Sequence, residues 1–197
     1  MAFDNDDFHA PVELRTDEFL LRPIRVSDAE LDYEAVMESR EFLRTWEQSS
    51  WPEDDFTVDA NREDLERAVR RHTDGESFTY TVMDPTEMQC LGCVYIFPTD
   101  ARMFARKQVS AIDGGQWSRY EAAVYFWIRK SRLDDGLDRR LLDALRAWLQ
   151  HEWPFENHVI ITNEQFEQQV AVIESAGLQL RFQLEDPNEP GKSLAYA

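Results

Sequence analysis

Lysine is scarce. Lys107, Lys130 and Lys192 are the only three in 197 residues; arginine supplies the rest of the 21 basic side chains, which face 39 acidic ones. The resulting net charge of −18 leaves no basic face to neutralise a phosphate backbone, which excludes a nonspecific binder of duplex nucleic acid. Also missing is any run approaching the roughly 18 uncharged apolar residues that a membrane helix needs, so no membrane partner is expected. The opening MAFDNDDFHAP is acidic where a secretory signal is basic and then apolar, and a cytoplasmic protein is expected. Cysteine is limited to Cys90 and Cys93. Their C-x-x-C spacing alone admits a redox pair or half of a zinc site. They lie, however, in an apolar run that reads as a strand, away from any helix N-terminus that would stabilise a thiolate, and no second C-x-x-C or H-x3-H completes a ligand set. They read as two small buried hydrophobes, with no metal.

What is present argues for a folded domain. Apolar residues make up 43% of the chain, with six Trp and twelve Phe, too many for a disordered acidic tail. The length fits one domain, expected over residues 14–197 behind an acidic, flexible tail at 1–13. The Arg-over-Lys bias and the acidity suit a high-salt cytoplasm, although a GC-rich genome produces the same bias. One stretch departs from the overall charge: between Pro98 and Tyr120, Arg102, Arg106, Lys107 and Arg119 outnumber Asp100 and Asp113, for a local charge of 4 − 2 = +2.

Periodicity orders the elements. FLLRPIR (19–25) reads as a strand, and Ser27-Asp28-Ala29-Glu30 fits a capping box opening a helix from Asp28 to about Arg40. WEQSSWPEDD (46–55) reads as a loop and residues 59–71 as a second amphipathic helix. FTYTVM (78–83) and CLGCVYIF (90–97), joined by Asp84-Pro85-Thr86-Glu87, predict a hairpin. A polar stretch leads to the buried strand AAVYFWIR (122–129) and the strongest helix, 137–153. A short strand (158–162), a helix (164–175) closed near Gly177, and strands at 179–184 and 193–196 complete the order β-α-α-β-β-β-α-β-α-β-β. Such mixed connectivity implies an α/β (α+β) layered domain of sheet and helices.

That order, with the runs AVYFWIRKSRLDDGLDRRLLDALRAWL and NEQFEQQVAVIESAGLQL, resembles the GNAT superfamily of N-acetyltransferases, nearest to its branch that acetylates ribosomal-protein N-termini and small amines. The resemblance implies a mixed, mostly antiparallel central sheet with helices on both faces. It implies acetyl-CoA as cosubstrate and, as acceptor, a small-molecule amine or a peptide N-terminus. The acidic surroundings favour a cationic acceptor. The oligomeric state stays open between monomer and homodimer.

Site residues follow from the same resemblance. Backbone amides near Ile128 and Arg129 would polarise the thioester carbonyl. The loop from Ser131 to Asp138 would hold the pyrophosphate at a helix N-terminus, using Arg132, Gly136, Leu137, Asp138 and Arg139. Only Gly136 survives of the family's three signature positions, and Asp134 and Asp135 bring negative charge, although either would also serve as a helix cap. Asn163 falls where the family contacts the pantetheine arm, and the Tyr that often serves as general acid is replaced by Ile173. For the general base the family position falls on Ala123, and Glu121, two residues earlier and on the same strand face, is the candidate. Trp46, Trp51 and Tyr125 would wall the acceptor site, beside Glu47, Glu53, Asp54 and Asp55. The degraded loop leaves one alternative: a non-catalytic binding or scaffold module on the same fold.

Overall fold

β-branched and aromatic runs pair into one nine-stranded sheet among residues 9–197, the residues described by the computed structural model. In chain order the strands are β1 (Leu14–Arg15), β2 (Leu20–Pro23), β3 (Phe78–Met83), β4 (Cys90–Pro98), β5 (Gln108–Ala111), β6 (Ala122–Ile128), β7 (His158–Asn163), β8 (Leu180–Glu185) and β9 (Ser193–Tyr196). The helices are α1 (Ala29–Glu38), α2 (Arg40–Glu47), α3 (Val58–Thr73), α4 (Leu137–Glu152) and α5 (Glu167–Ser175). Across the sheet the order is β1-β2-β3-β4-β6-β7-β9-β8-β5, antiparallel at every junction except the parallel pair β6/β7.

Two apolar layers sandwich the sheet. On one face the stripe Leu141, Leu142, Leu145, Trp148 and Leu149 of α4 buries against Tyr80, Val94, Phe126 and Ile160. On the other, α1, α2 and α3 cover Met83, Cys90, Cys93 and Trp127. Cys90 and Cys93 are free and buried here, and burial pushes both thiols well above their usual range.

Several elements differ from expectation. The capping box at Ser27 does not form. Asp28 instead receives the Arg22 guanidinium at 2.8 and 2.9 Å, a buried two-pronged ion pair that fixes the turn into α1. Arg40 to Glu47 is helical as α2, so Trp46 and Glu47 stand on its last turn rather than in a loop; Gln48 ends it in the left-handed conformation. The polar stretch after β4 contributes the edge strand β5, paired to β8. Of the tail expected over 1–13, residues 1–8 lie outside the described residues, and the Pro11 carbonyl accepts a hydrogen bond from the Tyr80 hydroxyl at 2.7 Å.

Candidate active site

The single parallel junction opens the sheet. β6 and β7 pair only at Ala122↔His158, Ala123↔Val159 and Val124↔Ile160; beyond that point β6 stays with β4 while β7 continues against β9. From Tyr125 to Ile128, therefore, β6 has no strand on its outer edge. In an antiparallel pair, alternate residues direct both backbone groups to the partner. The Arg129 N–H bonds the Leu91 carbonyl at 2.8 Å, so Arg129, Trp127 and Tyr125 face β4 while Phe126 and Ile128 face the gap. One side chain reaches into it: buried Gln169 of α5 donates Nε2 to the Phe126 carbonyl at 2.8 Å, and its Oε1 is buried with no partner.

Beside the gap lies a cavity of about 350 Å³, floored by Thr79, Tyr95, Phe97 and Tyr125 and walled by Trp46 and Glu47 of α2, Trp51, Met103 and the residues Asp64, Arg67, Ala68 and Arg71 of α3. Trp46 lies 6.1 Å from Tyr95 and edge-on to Tyr125 at 6.4 Å. The sequence-derived trio Trp46, Trp51 and Tyr125 thus meets in one place. Glu47 lines the cavity and is exposed to solvent, yet protein crowds its carboxyl. That crowding first, and then the Glu189 carboxylate, push its carboxyl up to about 7, while Lys107 pulls the other way. Lys107 Nζ grips both oxygens of Glu189 at 2.5 Å, with its own side chain 5% exposed. Glu189 enters from the β8–β9 loop and Lys107 from the positive stretch before β5, from which Arg106 also lies 3.9 Å from Asp186.

Other sequence-derived residues are placed differently. Glu121 sits at the closed end of the β6/β7 pair, not at the gap, and its carboxylate accepts the Glu156 N–H at 2.6 Å and the Asn157 N–H at 3.4 Å. It anchors the loop before β7, so its geometry does not suit a base. The Arg129 amide is spent on Leu91, which leaves Ile128 as the member of that pair facing the gap; the Arg129 side chain instead binds Glu38 and the Cys90 carbonyl. Asn163 is fully engaged within the chain: Nδ2 donates to the Thr45 and Trp46 carbonyls at 2.8 and 2.7 Å, and Oδ1 accepts from Gln165 and Phe166. It pins α2 over the gap instead of presenting a free amide.

The loop expected to hold the pyrophosphate differs in its details. Gly136 caps α4 in the left-handed conformation, with φ of 69°, and neither Asp134 nor Asp135 caps the helix by its side chain. Leu137 and Asp138 open α4 buried; burial raises the Asp138 carboxyl. The nearby cations already have acidic partners: Arg132 with Asp135, Arg139 with Asp143 and Arg140 with Glu18. One turn earlier, Glu38 accepts the Ser131 N–H at 2.9 Å and is held at about 2 by the Arg129 guanidinium. No motif marks Glu47, Lys107, Glu189 or Gln169 as a group, because four separate elements bring them to the site. The one visible sign is that a chain with three lysines places Lys107 in its positive island.

The fold as a whole has counterparts among solved structures. RimL, a ribosomal L7/L12 alpha-N-protein acetyltransferase, superposes with a TM-score of 0.68 at 14% identity, covering 95% of this chain and 94% of that one. The ribosomal-protein-S5-alanine acetyltransferase from Vibrio fischeri gives 0.68 at 16% identity, with 94% and 95% covered. The microcin C7 self-immunity acetyltransferase MccE, in complex with acetyl-CoA and AMP, gives 0.69 at 13% identity, with 92% of each chain covered. The fold is that of the GNAT acetyltransferases. No protein-family model and no curated protein sequence matches the chain. At these identities the GNAT fold is what the likeness establishes.

Proposed function

We propose that the chain is an acetyl-CoA-dependent N-acetyltransferase acting on a primary amine, with Glu47 as its general base. The observation that carries this reading is the juxtaposition of the bare edge of β6, at Phe126 and Ile128, with a carboxyl poised near neutrality in the adjoining cavity. The gap suits an extended, amide-bearing arm. Phe126 and Ile128 offer backbone groups, and Gln169 offers a buried carboxamide oxygen that still needs a donor. Acetyl-CoA would supply the activated acyl group. The chain's own part is to align the arm along β6, to hold the amine among Trp46, Trp51 and Tyr125, and to take a proton onto Glu47 as the nitrogen attacks. A carboxylate with a value near 7 is matched to that task at neutral pH, because about half of it is ionised there and it is basic enough to accept a proton. Relatives of the same fold named for acetyl transfer support the reading.

A non-catalytic module is the second reading. It draws on the acidic entry to α4 and on Glu38 and Ser39, which already occupy the Ser131 and Lys130 amides. One experiment separates the two. At about 100 times its dissociation constant a ligand stabilises a fold by roughly 2.7 kcal/mol, so acetyl-CoA should raise the melting temperature visibly, and a primary amine added with it should be acetylated by mass. No melting shift at millimolar acetyl-CoA would favour the module.

A further inference from the structure

The cavity has ends of opposite sign. Thr79, Tyr95 and Tyr125 stand side by side across β3, β4 and β6, so the Thr79 end and the Tyr125 end lie two strand spacings, about 10 Å, apart. At the Tyr125 end are Trp46 and Glu47. At the Thr79 end, α3 brings Arg67 and Arg71 to the rim, four residues apart on one side of the helix, with Asp64 on the turn before. Asp64 and Glu63 pair with Arg67. No acidic side chain is paired with Arg71 among the described residues. Of the two arginines on the rim, Arg67 has carboxylate partners, and Arg71, exposed at the cavity edge, has none among the described residues. Its place is set by backbone: the Arg71 carbonyl accepts from Glu76 and Ser77 as the chain turns from α3 into β3.

We infer that the acceptor is an amine that also carries an anionic group, carboxylate or phosphate, about 10 Å from its nitrogen, and that Arg71 reads that group. The nitrogen end rests on the acetyl-transfer reading; the anion end rests on the charge and register of the cavity alone. An extended peptide advances about 3.3–3.6 Å per residue, so an N-terminus at Glu47 brings an acidic side chain at its third position to Arg71. A guanidinium fork matches the paired oxygens of either anion.

Three matched peptide amides test it: Ala-Ala-Asp, Ala-Ala-phosphoserine and Ala-Ala-Asn. Their dissociation constants are read by quenching of tryptophan fluorescence, with Michaelis constants alongside where turnover occurs. At low salt the acidic peptides should bind about tenfold more tightly than the Asn peptide, the scale of one charge-assisted contact. The larger of the two acidic preferences identifies carboxylate or phosphate as the group read. Arg71→Gln should erase the preference between the acidic peptides and the Asn peptide, and Arg71→Lys should restore part of it. Equal binding of all three peptides by the wild type, or a preference that survives Arg71→Gln, overturns the inference. Because peptide binding is read without turnover and the acetyl-CoA melting shift is read without peptide, failure of one reading is distinguishable from failure of the other.

Discussion

Glu47 lines the cavity with a second carboxylate, Glu189, close by. Crowding by protein and the neighbouring Glu189 disfavour its charged form, and the Lys107 clasp on Glu189 limits how far that goes. The sign of the pH dependence follows. A base must be ionised, so turnover should rise as pH passes upward through about 7 and level off above it. Glu189→Gln removes the like charge and should move that midpoint below 7, while Glu47→Gln should lower turnover by about 10² to 10⁴ with acetyl-CoA affinity unchanged. A pH–rate profile that keeps its midpoint in Glu189→Gln, or a wild-type rate in Glu47→Gln, would contradict the role. At this scale the sequence was partly legible. Glu47 stands out beside two tryptophans, yet the expectation for the base fell on Glu121, because strand alternation shows which face a side chain shares and not which end of the strand opens. The opening is set by β7 leaving β6 for β9, a pairing between residues far apart in the chain.

Among the elements, β4 is what holds β6 in place while its other edge stays bare. The pairing of β3 with β4 shifts register at Val82/Met83, opposite Cys90 to Gly92, and there Gly92 lets the β6 backbone approach. A Cβ at Gly92 would meet the Trp127 carbonyl oxygen at 2.0 Å and the Ile128 Cα at 3.0 Å. Gly92→Ala should therefore cost about 1–3 kcal/mol in urea unfolding, the range for forced overpacking, and should weaken acetyl-CoA binding by shifting Ile128. An unchanged unfolding midpoint would show that the strands part without cost. Long periodic elements were readable in advance: α3, α4 and the β3–β4 hairpin lie within a few residues of expectation. α2 was not, because its eight residues are too few for a clear period and Pro52 nearby reads as a loop signal. Nor was β5, a four-residue polar edge strand whose partner among the described residues, β8, is distant in sequence. Both elements matter, since α2 carries Trp46 and Glu47 and Lys107 immediately precedes β5.

For the whole molecule, charge is the dominant feature. Self-repulsion at −18 opposes compaction, and salt screens it. The melting temperature should rise from low salt to molar KCl; a flat profile would remove the case for a high-salt adaptation. The fold as a whole was legible from element order and from two extended runs in the sequence, whereas the loop expected to hold the pyrophosphate departs from the family pattern, with Gly136 alone in place. Whether those departures matter depends on the gap between β6 and β7, and hydrogen exchange at single backbone amides addresses that gap directly. With acetyl-CoA added, the amides of Phe126 and Ile128 should exchange markedly more slowly, while the Arg129 amide, already bonded to Leu91, should change little. Unchanged exchange at Phe126 and Ile128 under saturating acetyl-CoA would contradict the placement of the acyl arm along β6.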